Sequence, residues 1–312
     1  MRRVFPVGAE HIVTWLAHRV QRPGEKINHA LVLGGAQGIG KDTILEPVKY
    51  AVGRWNFCEV TPAHLLGRFN AFVKSVILRV NEARDLGDVD RFAFYDHMKA
   101  YCAAPPDVLR CDEKNIREHA VLNVCGVILT SNHKSDGVYL PADDRRHYVA
   151  WSDLSREMFP ETYWRDLYRW YQLEGGTAHV AAYLDAFDLS DFDPKAAPRK
   201  IAAFWEIADA NRASEDAELA DLLDVLKNPA AIRLSDLLAV CVEESLRDWL
   251  KDRKNRRQIP HRLESVGYTR VQNPDADDGL WMLQGKRHTV YARTTLCERD
   301  RLTAAVGLGR NQ

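Results

Sequence analysis

No apolar run in the 312 residues is long enough to cross a membrane, so no membrane partner is expected. The opening Met1-Arg2-Arg3-Val4-Phe5-Pro6 lacks the apolar stretch of a secretory signal. Neither sign of charge dominates. There are 43 Lys and Arg against 44 Asp and Glu, a net of −1, so no global basic field announces nucleic acid and any such signal has to be local. Cysteine is scarce, with six residues at 58, 102, 111, 125, 241 and 297. They form no Cys-x-x-Cys pair and have no neighbouring His at zinc-type spacing, which points to reduced thiols in a cytosolic protein. Repeats and low-complexity tracts are also absent.

What is present is a globular composition, 46% hydrophobic and 28% charged, over a length that suits about two domains. Helical spacing of Ile12, Val13, Leu16 and Val20 predicts a helix over 9–21, ended by Pro23-Gly24. Ala30-Leu31-Val32-Leu33 is a short apolar run, followed by a glycine-rich turn and a helix from about Lys41 to Val52. Val76 to Val80 and Val124 to Leu129 are two further buried-strand candidates, separated by a helix near 89–103 and a polar segment at 109–119. Strands alternating with helices imply an α/β layered sheet. After Trp151 come an aromatic helix at 160–172, read as core packing, and an acidic, proline-bearing linker from Asp188 to Arg199.

The glycine turn carries the first chemistry. Gly35-Ala36-Gln37-Gly38-Ile39-Gly40-Lys41 follows a strand and opens a helix, the setting in which backbone N–H groups cradle phosphates and a lysine reaches the outer ones. Such loops usually follow the lysine with Ser or Thr to hold Mg²⁺. Here the slot is Asp42, with Thr43 next, and an aspartate oxygen suits that hard ion as well. Hydrolysis of ATP needs a carboxylate near the γ-phosphate. The strand ending in Asn81-Glu82 supplies one at a sheet end, with Glu82 to activate water and Asn81 in the metal's surroundings. A second polar strand end, Thr130-Ser131-Asn132, offers Asn132 to hydrogen-bond the attacking water or the phosphate. Asp143-Asp144-Arg145-Arg146 adds two arginines of the kind that stabilise phosphoryl transfer from a neighbouring subunit. An isolated run of this type is more commonly a salt-bridged loop.

Taken in order within about 115 residues, these four segments resemble superfamily 3 helicases, the compact AAA+ branch found in phages, plasmids and DNA viruses, and in particular the helicase half of phage primase-helicases. The resemblance covers roughly residues 9–151. It implies a P-loop ATPase with ATP and Mg²⁺, forming a homo-hexameric ring on single-stranded DNA in the cytoplasm of a bacterial host. Lys41 becomes the phosphate lysine, Glu82 the catalytic acid, Asn132 the sensor, and Arg145 or Arg146 the finger. The segment Leu109 to Asn115 falls where the family has a DNA-gripping hairpin, with Lys114 facing the pore. Two departures stand out: Asp42 replaces the usual hydroxyl, and only 34 residues precede the loop. The expectation is therefore a helicase without its primase, or one piece of a longer chain with a primase partner.

From Leu234 the pattern changes to a helix at 234–250, a basic helix near 253–265 and two strands around 279–293. Residues 251–270 hold seven Lys and Arg, including Lys254, Arg256, Arg257 and Arg262, against Asp252 and Glu264. With a hairpin turn at Gly285-Lys286-Arg287, this predicts a winged-helix-like unit whose cations, Lys286 and Arg287 included, contact phosphates. The expected organisation is an α/β P-loop core of AAA+ type over 1–155, a helical lid and linker over 156–228, and the winged-helix-like DNA-binding unit over 229–312. Three rivals remain. One is an AAA+ initiator or loader using ATP as a switch. Another is a DNA-binding regulator whose P-loop domain only oligomerises. The last is a small-molecule kinase, disfavoured because no arginine-rich substrate lid stands near the loop.

Overall fold

The apolar runs become buried parallel strands because each is hydrophobic on both faces and needs cover from both sides. The computed structural model describes residues 1–81, 91–134, 137–283 and 285–309. Its first compact unit, Met1–Asn211, begins with α1 (Ala9–Gln21), β1 (Ala30–Gly35), α2 (Lys41–Val52), β2 (Phe57–Val60), the single turn α3 (Pro62–Leu65) and β3 (Ile77–Val80). It continues with α4 (Arg91–Cys102), the antiparallel hairpin of β4 (Val108–Glu113) and β5 (Ile116–Leu122), β6 (Gly126–Ser131), β7 (His147–Ser152), α5 (Glu161–Leu173), α6 (Gly176–Asp185) and the first turns of α7 (Ala202–Val225). Five strands form one parallel sheet in the order β2-β3-β6-β1-β7.

The two-residue period of a strand sorts the core into two layers. Leu31 and Leu33 of β1, with Ile77 and Ile128, meet Ile12 and Leu16 of α1 and Leu45 and Val48 of α2. Ala30 and Val32, with Leu78, Val80 and Leu129, meet Phe94 and Met98 of α4 and Phe204 and Ile207 of α7. The acidic stretch at 188–199, expected as a linker, is seated on this unit: Leu189 is buried, Phe192 packs edge-on against His18, and the Asn28 amide donates to Pro194 O at 2.7 Å. The polar segment at 109–119 is the hairpin itself. Its turn is Lys114-Asn115, where Asn115 takes a left-handed φ of 65°, a conformation its short polar side chain tolerates.

The second unit, Arg212–Gln312, contains β8 (Ala231–Arg233), α8 (Leu234–Val240), α9 (Glu244–Lys251), α10 (Ile259–Ser265), β9 (Tyr268–Val271), β10 (Trp281–Leu283), β11 (Lys286–His288), β12 (Val290–Arg293) and α11 (Glu298–Gly307). Strands β8, β12 and β9 pair antiparallel in that order, and β10 with β11 makes a separate hairpin. The single helix expected over 234–250 is two helices. Its buried residues Leu237 and Cys241 are followed by Leu246, Trp249 and Leu250, and the five-residue step from 241 to 246 would turn the second set away from the first in one continuous helix. The expected basic helix is a 3-10 turn over Arg253–Arg257 followed by α10, which starts where Pro260, lacking an N–H, is tolerated.

At the start of β7, Asp144 and His147 form an ion pair with both side chains out of solvent, Nδ1 to Oδ2 at 3.1 Å. Tyr95 donates its hydroxyl to Asp144 Oδ2 at 2.7 Å, and the amides of Arg146 and His147 donate to Oδ1 at 2.9 Å each. Burial alone would push the His147 imidazole down, but the Asp144 carboxylate outweighs it and holds it at about 10. Burial pushes His11, His18 and His29 the other way, to about 4, 4 and 3. Below pH 6.5 the unfolded chain takes up protons that these three refuse when folded, so stability falls in acid. Above pH 6.5 the unfolded chain releases a proton that folded His147 keeps to about 10, so stability falls in base. Urea denaturation across pH is therefore expected to peak near neutrality. Asp144→Ala, which breaks the buried pair and leaves the donors of Tyr95, Arg146 and His147 without their acceptor, is expected to cost roughly 3–5 kcal/mol.

Candidate functional site

All strands of the sheet run the same way, so the ends of β1, β3 and β6 reach one edge, where ligands of open α/β sheets bind. Gly34 pairs in register with Ser131, and Val80 with Leu129. Asn81, Asn132 and the glycine turn therefore leave the sheet side by side. The turn uses left-handed backbone at Gly38 (φ 80°) and Gly40 (φ 92°). A Cβ on Gly40 would fall 2.5 Å from the Trp164 ring, so only glycine passes there. Ile39 is fully buried and anchors the turn from beneath.

Lys41 is buried at the head of α2 and folds back over the loop. Its ammonium donates to Gly35 O, to Ala36 O at 2.8 Å and to Asn132 Oδ1 at 2.7 Å. The proposed phosphate lysine and sensor asparagine, 91 residues apart, are thus in direct contact. Asp42 is paired with the guanidinium of Arg79. Arg79 also donates to Glu59 Oε1 at 2.8 Å and lies 3.4 Å from Thr130 Oγ1. Thr43 is buried, its hydroxyl 3.1 Å from the Tyr168 hydroxyl, and Tyr171 donates to its carbonyl at 3.3 Å. Asn81 keeps a buried Oδ1 with no partner among the described residues.

Lys41, Asp42, Thr43, Arg79, Thr130 and Asn132 line a cleft of about 440 Å³ together with Gln37, Gly38, Gly40, Arg156, Trp164 and Tyr168. Three cations, Lys41, Arg79 and Arg156, face one carboxylate, Asp42. The cleft therefore favours an anion, and the helix start adds its dipole. Open loop space and excess positive charge fit a phosphate-bearing anion, and Asp42 and Thr43 are the oxygen donors in the lining that could hold its metal.

Sequence reasoning missed Arg79, Arg156, Trp164 and Tyr168. Arg79 had a signal, as the one charge inside the apolar run from Val76 to Val80. The aromatic stripe, read as core packing, has no fully buried residue in α5, but Tyr163 and Trp164 pack partly buried against the core as expected. It also lies beside the glycine turn, where Trp164 meets Gly40, and Trp164 and Tyr168 form a wall of the cleft.

Several expected residues lie elsewhere. Glu82 lies outside the described residues. Arg145 and Arg146 precede β7 at the opposite edge of the sheet, where the Ala30 amide donates to Arg146 O at 2.8 Å. The strand rise sets them roughly 17 Å from the loop edge, out of reach of their own chain's cleft. Lys114 is exposed at the hairpin turn. In the second unit, Arg256, Arg257, Lys286 and Arg287 are exposed, with Arg287 paired to Asp278 at 2.9 Å. Arg262 covers the Trp249 ring at 4.7 Å, and the side chain of Lys254 lies outside the described ones.

The chain is similar in fold to the C-terminal region of NrS-1. One apo structure of that region has a TM-score of 0.57 at 17% identity, covering 94% of this chain and 74% of the other. An A-form apo structure gives 0.56 at 19% identity with the same coverage. Residues 33–146, from the glycine turn to the arginine pair, match the family of unknown function DUF5906. No curated protein matches in sequence. At these identities the likeness establishes the fold: a mixed α/β core around a parallel five-stranded sheet.

Arg79 is buried, yet its partners reach water, with the side chain of Asp42 71% exposed and that of Glu59 36%. Replacing Arg79 by an apolar isostere therefore strands no buried charge. Arg79→Met is expected to unfold within about 1 kcal/mol of the parent in urea, which separates a ligand role for this residue from a structural one.

Proposed function

We propose that the chain is an ATP-hydrolysing motor of the superfamily 3 helicase type that acts on single-stranded DNA as a ring, with nucleotide held between subunits. The observation that carries this reading is the meeting of Lys41 and Asn132 at 2.7 Å on the strand-end edge of a parallel sheet, with Arg145 and Arg146 on the far edge. A chain built this way supplies half a catalytic site at each edge, and a ring of copies completes it. Strand order supports the AAA+ assignment, since the loop-bearing strand β1 lies between β6 and β7.

Each residue has a part in that reaction. The loop from Gly35 to Gly40 cradles phosphate oxygens, and Lys41 leaves its carbonyl partners to hold the outer ones. Arg79 cancels the charge of Asp42, so that phosphate approaches an aspartate without net repulsion. Mg²⁺, when bound, supplies charge neutralisation of the phosphates. Asp42, Thr43 and Asn81 would hold it. Glu82 orients the attacking water, and Asn132 senses the terminal phosphate through Lys41. The neighbour's Arg145 or Arg146 stabilises the charge that develops as the bond breaks. Trp164 and Tyr168 offer aromatic surface for the base. Lys114 at the hairpin turn meets the DNA backbone. The β8-β12-β9 sheet with its β10–β11 hairpin supports a winged-helix reading in which Arg256, Arg257, Lys286 and Arg287 contact phosphates. An AAA+ initiator or loader would share all of this chemistry without unwinding. A homo-hexamer, a primase partner and residence in a bacterial host's cytoplasm belong to the same reading.

ATPase assays with and without single-stranded DNA test the reading. DNA-stimulated turnover, lost in Lys41→Ala and in Glu82→Gln while Glu82→Gln still binds ATP, is the expected result. Failure to bind nucleotide with magnesium would overturn it. Unwinding of a tailed duplex separates a helicase from a switch. Mixing a Lys41→Ala protein with an Arg145→Ala/Arg146→Ala protein is expected to restore part of a turnover that each has lost about 10³-fold. The absence of rescue at every ratio would remove the neighbour's arginine from the site. Arg79→Met is expected to weaken ATP binding about tenfold, with partial recovery when Asp42→Ser is added.

A further inference from the structure

Outside the residues that line the cleft, the β4–β5 hairpin brings together three side chains of different chemistry. Cys111 and His119 are directly opposed across the strands, and Glu113 follows two residues later toward the turn. The register shifts between Cys111 and Glu113, an irregularity of the bulge type that re-aims a side chain. The Cys111 Sγ is 3.8 Å from Glu113 Oε1, the His119 Nε2 is 3.7 Å from the same oxygen, and all three ligand atoms lie within 4.8 Å of one another. Among the described residues this is the one such cluster.

We propose that Cys111, Glu113 and His119 bind a zinc-class divalent transition ion that fastens the two strands of the hairpin beside its turn. Tetrahedral zinc, with Zn–S near 2.3 Å and Zn–N and Zn–O near 2.0–2.2 Å, separates its ligand atoms by about 3.3–3.6 Å. Two of the contacts reach that spacing with shifts of a few tenths of an ångström. The His119 Nδ1 lies 3.3 Å from Arg117 O. A proton on Nδ1 shared with that carbonyl leaves the Nε2 lone pair facing the cluster, the usual way a ligating histidine is oriented. Lys74 grips the Glu113 carboxylate at 2.7 and 2.8 Å and fixes its plane.

The donor set selects the ion. Thiolate, imidazole and a single carboxylate suit zinc, cobalt or copper and not magnesium or calcium, which want several oxygens. The ammonium of Lys74 further disfavours an ion held by charge alone. Cys111 is fully buried while the His119 side chain is 40% exposed, so the ion has an entry path and a fourth position open to water. Burial, then the Glu113 carboxylate, push the Cys111 thiol up. Binding therefore releases the thiol proton to solvent, and affinity rises with pH. The site uses no residue of the nucleotide cleft and stands whether or not the chain is a motor.

The test is Co²⁺ titration of the metal-stripped full chain, read by thiolate-to-cobalt charge-transfer absorption and by metal content. One equivalent per chain with a thiolate band, displaced by Zn²⁺, is expected. The band disappears in Cys111→Ser and persists in Cys297→Ser, which alters an exposed thiol elsewhere. His119→Gln, at a partly exposed position that tolerates the change, binds at least about tenfold more weakly. A titration without a thiolate band, a band that survives Cys111→Ser, or unchanged affinity in His119→Gln each overturns the proposal.

Discussion

The ammonium of Lys41 joins two stretches of chain that share nothing in sequence: the carbonyls of the glycine turn after β1, and the Asn132 side chain after β6. That junction exists because β1 and β6 are adjacent and parallel, so both end at the same edge. The buried parallel sheet is thus the constraint on which the cleft depends. Its two apolar layers hold strand ends in register, and the register sets which polar residues meet.

Around that junction the charge balance is unusual and self-consistent. An aspartate after the lysine would repel phosphate if left alone. Arg79, from the neighbouring strand β3, answers it, and Glu59 on β2 holds the other side of the same guanidinium. The chain of Asp42, Arg79 and Glu59 crosses three elements and ties the loop's helix to the sheet. Arg79 offsets the aspartate, and Lys41 and Arg156 leave the cleft lining positive.

The sheet also separates functions by its two edges. The loop edge carries the glycine turn, Lys41 and Asn132, and the far edge carries Arg145 and Arg146, whose backbone is fixed by the buried Asp144–His147 pair. Arg145 is exposed and Arg146 half-buried on this turn, at the edge of the sheet away from their own cleft.

Sequence alone determined the elements whose signals are local. Helical periodicity gave α1 and α2 their bounds, and the strand, glycine turn and lysine order gave the tight turn between β1 and α2, because hydrophobic period and glycine conformation act over a few residues. The same holds for the places of Asn132 just after β6 and of the arginine pair just before β7. Tertiary structure decided what depends on partners distant in the chain. Arg79 reads as an anomaly in an apolar strand until Asp42 and Glu59 are set beside it. The aromatics of α5 have the spacing of core residues, and only the approach of that helix to Gly40 makes Trp164 and Tyr168 a wall of the cleft. Cys111 and His119 have no zinc-type spacing along the chain; a hairpin register opposes them. Local propensity fixes an element, but which side chains meet is set by the packing of elements against each other, information that no short window of sequence contains.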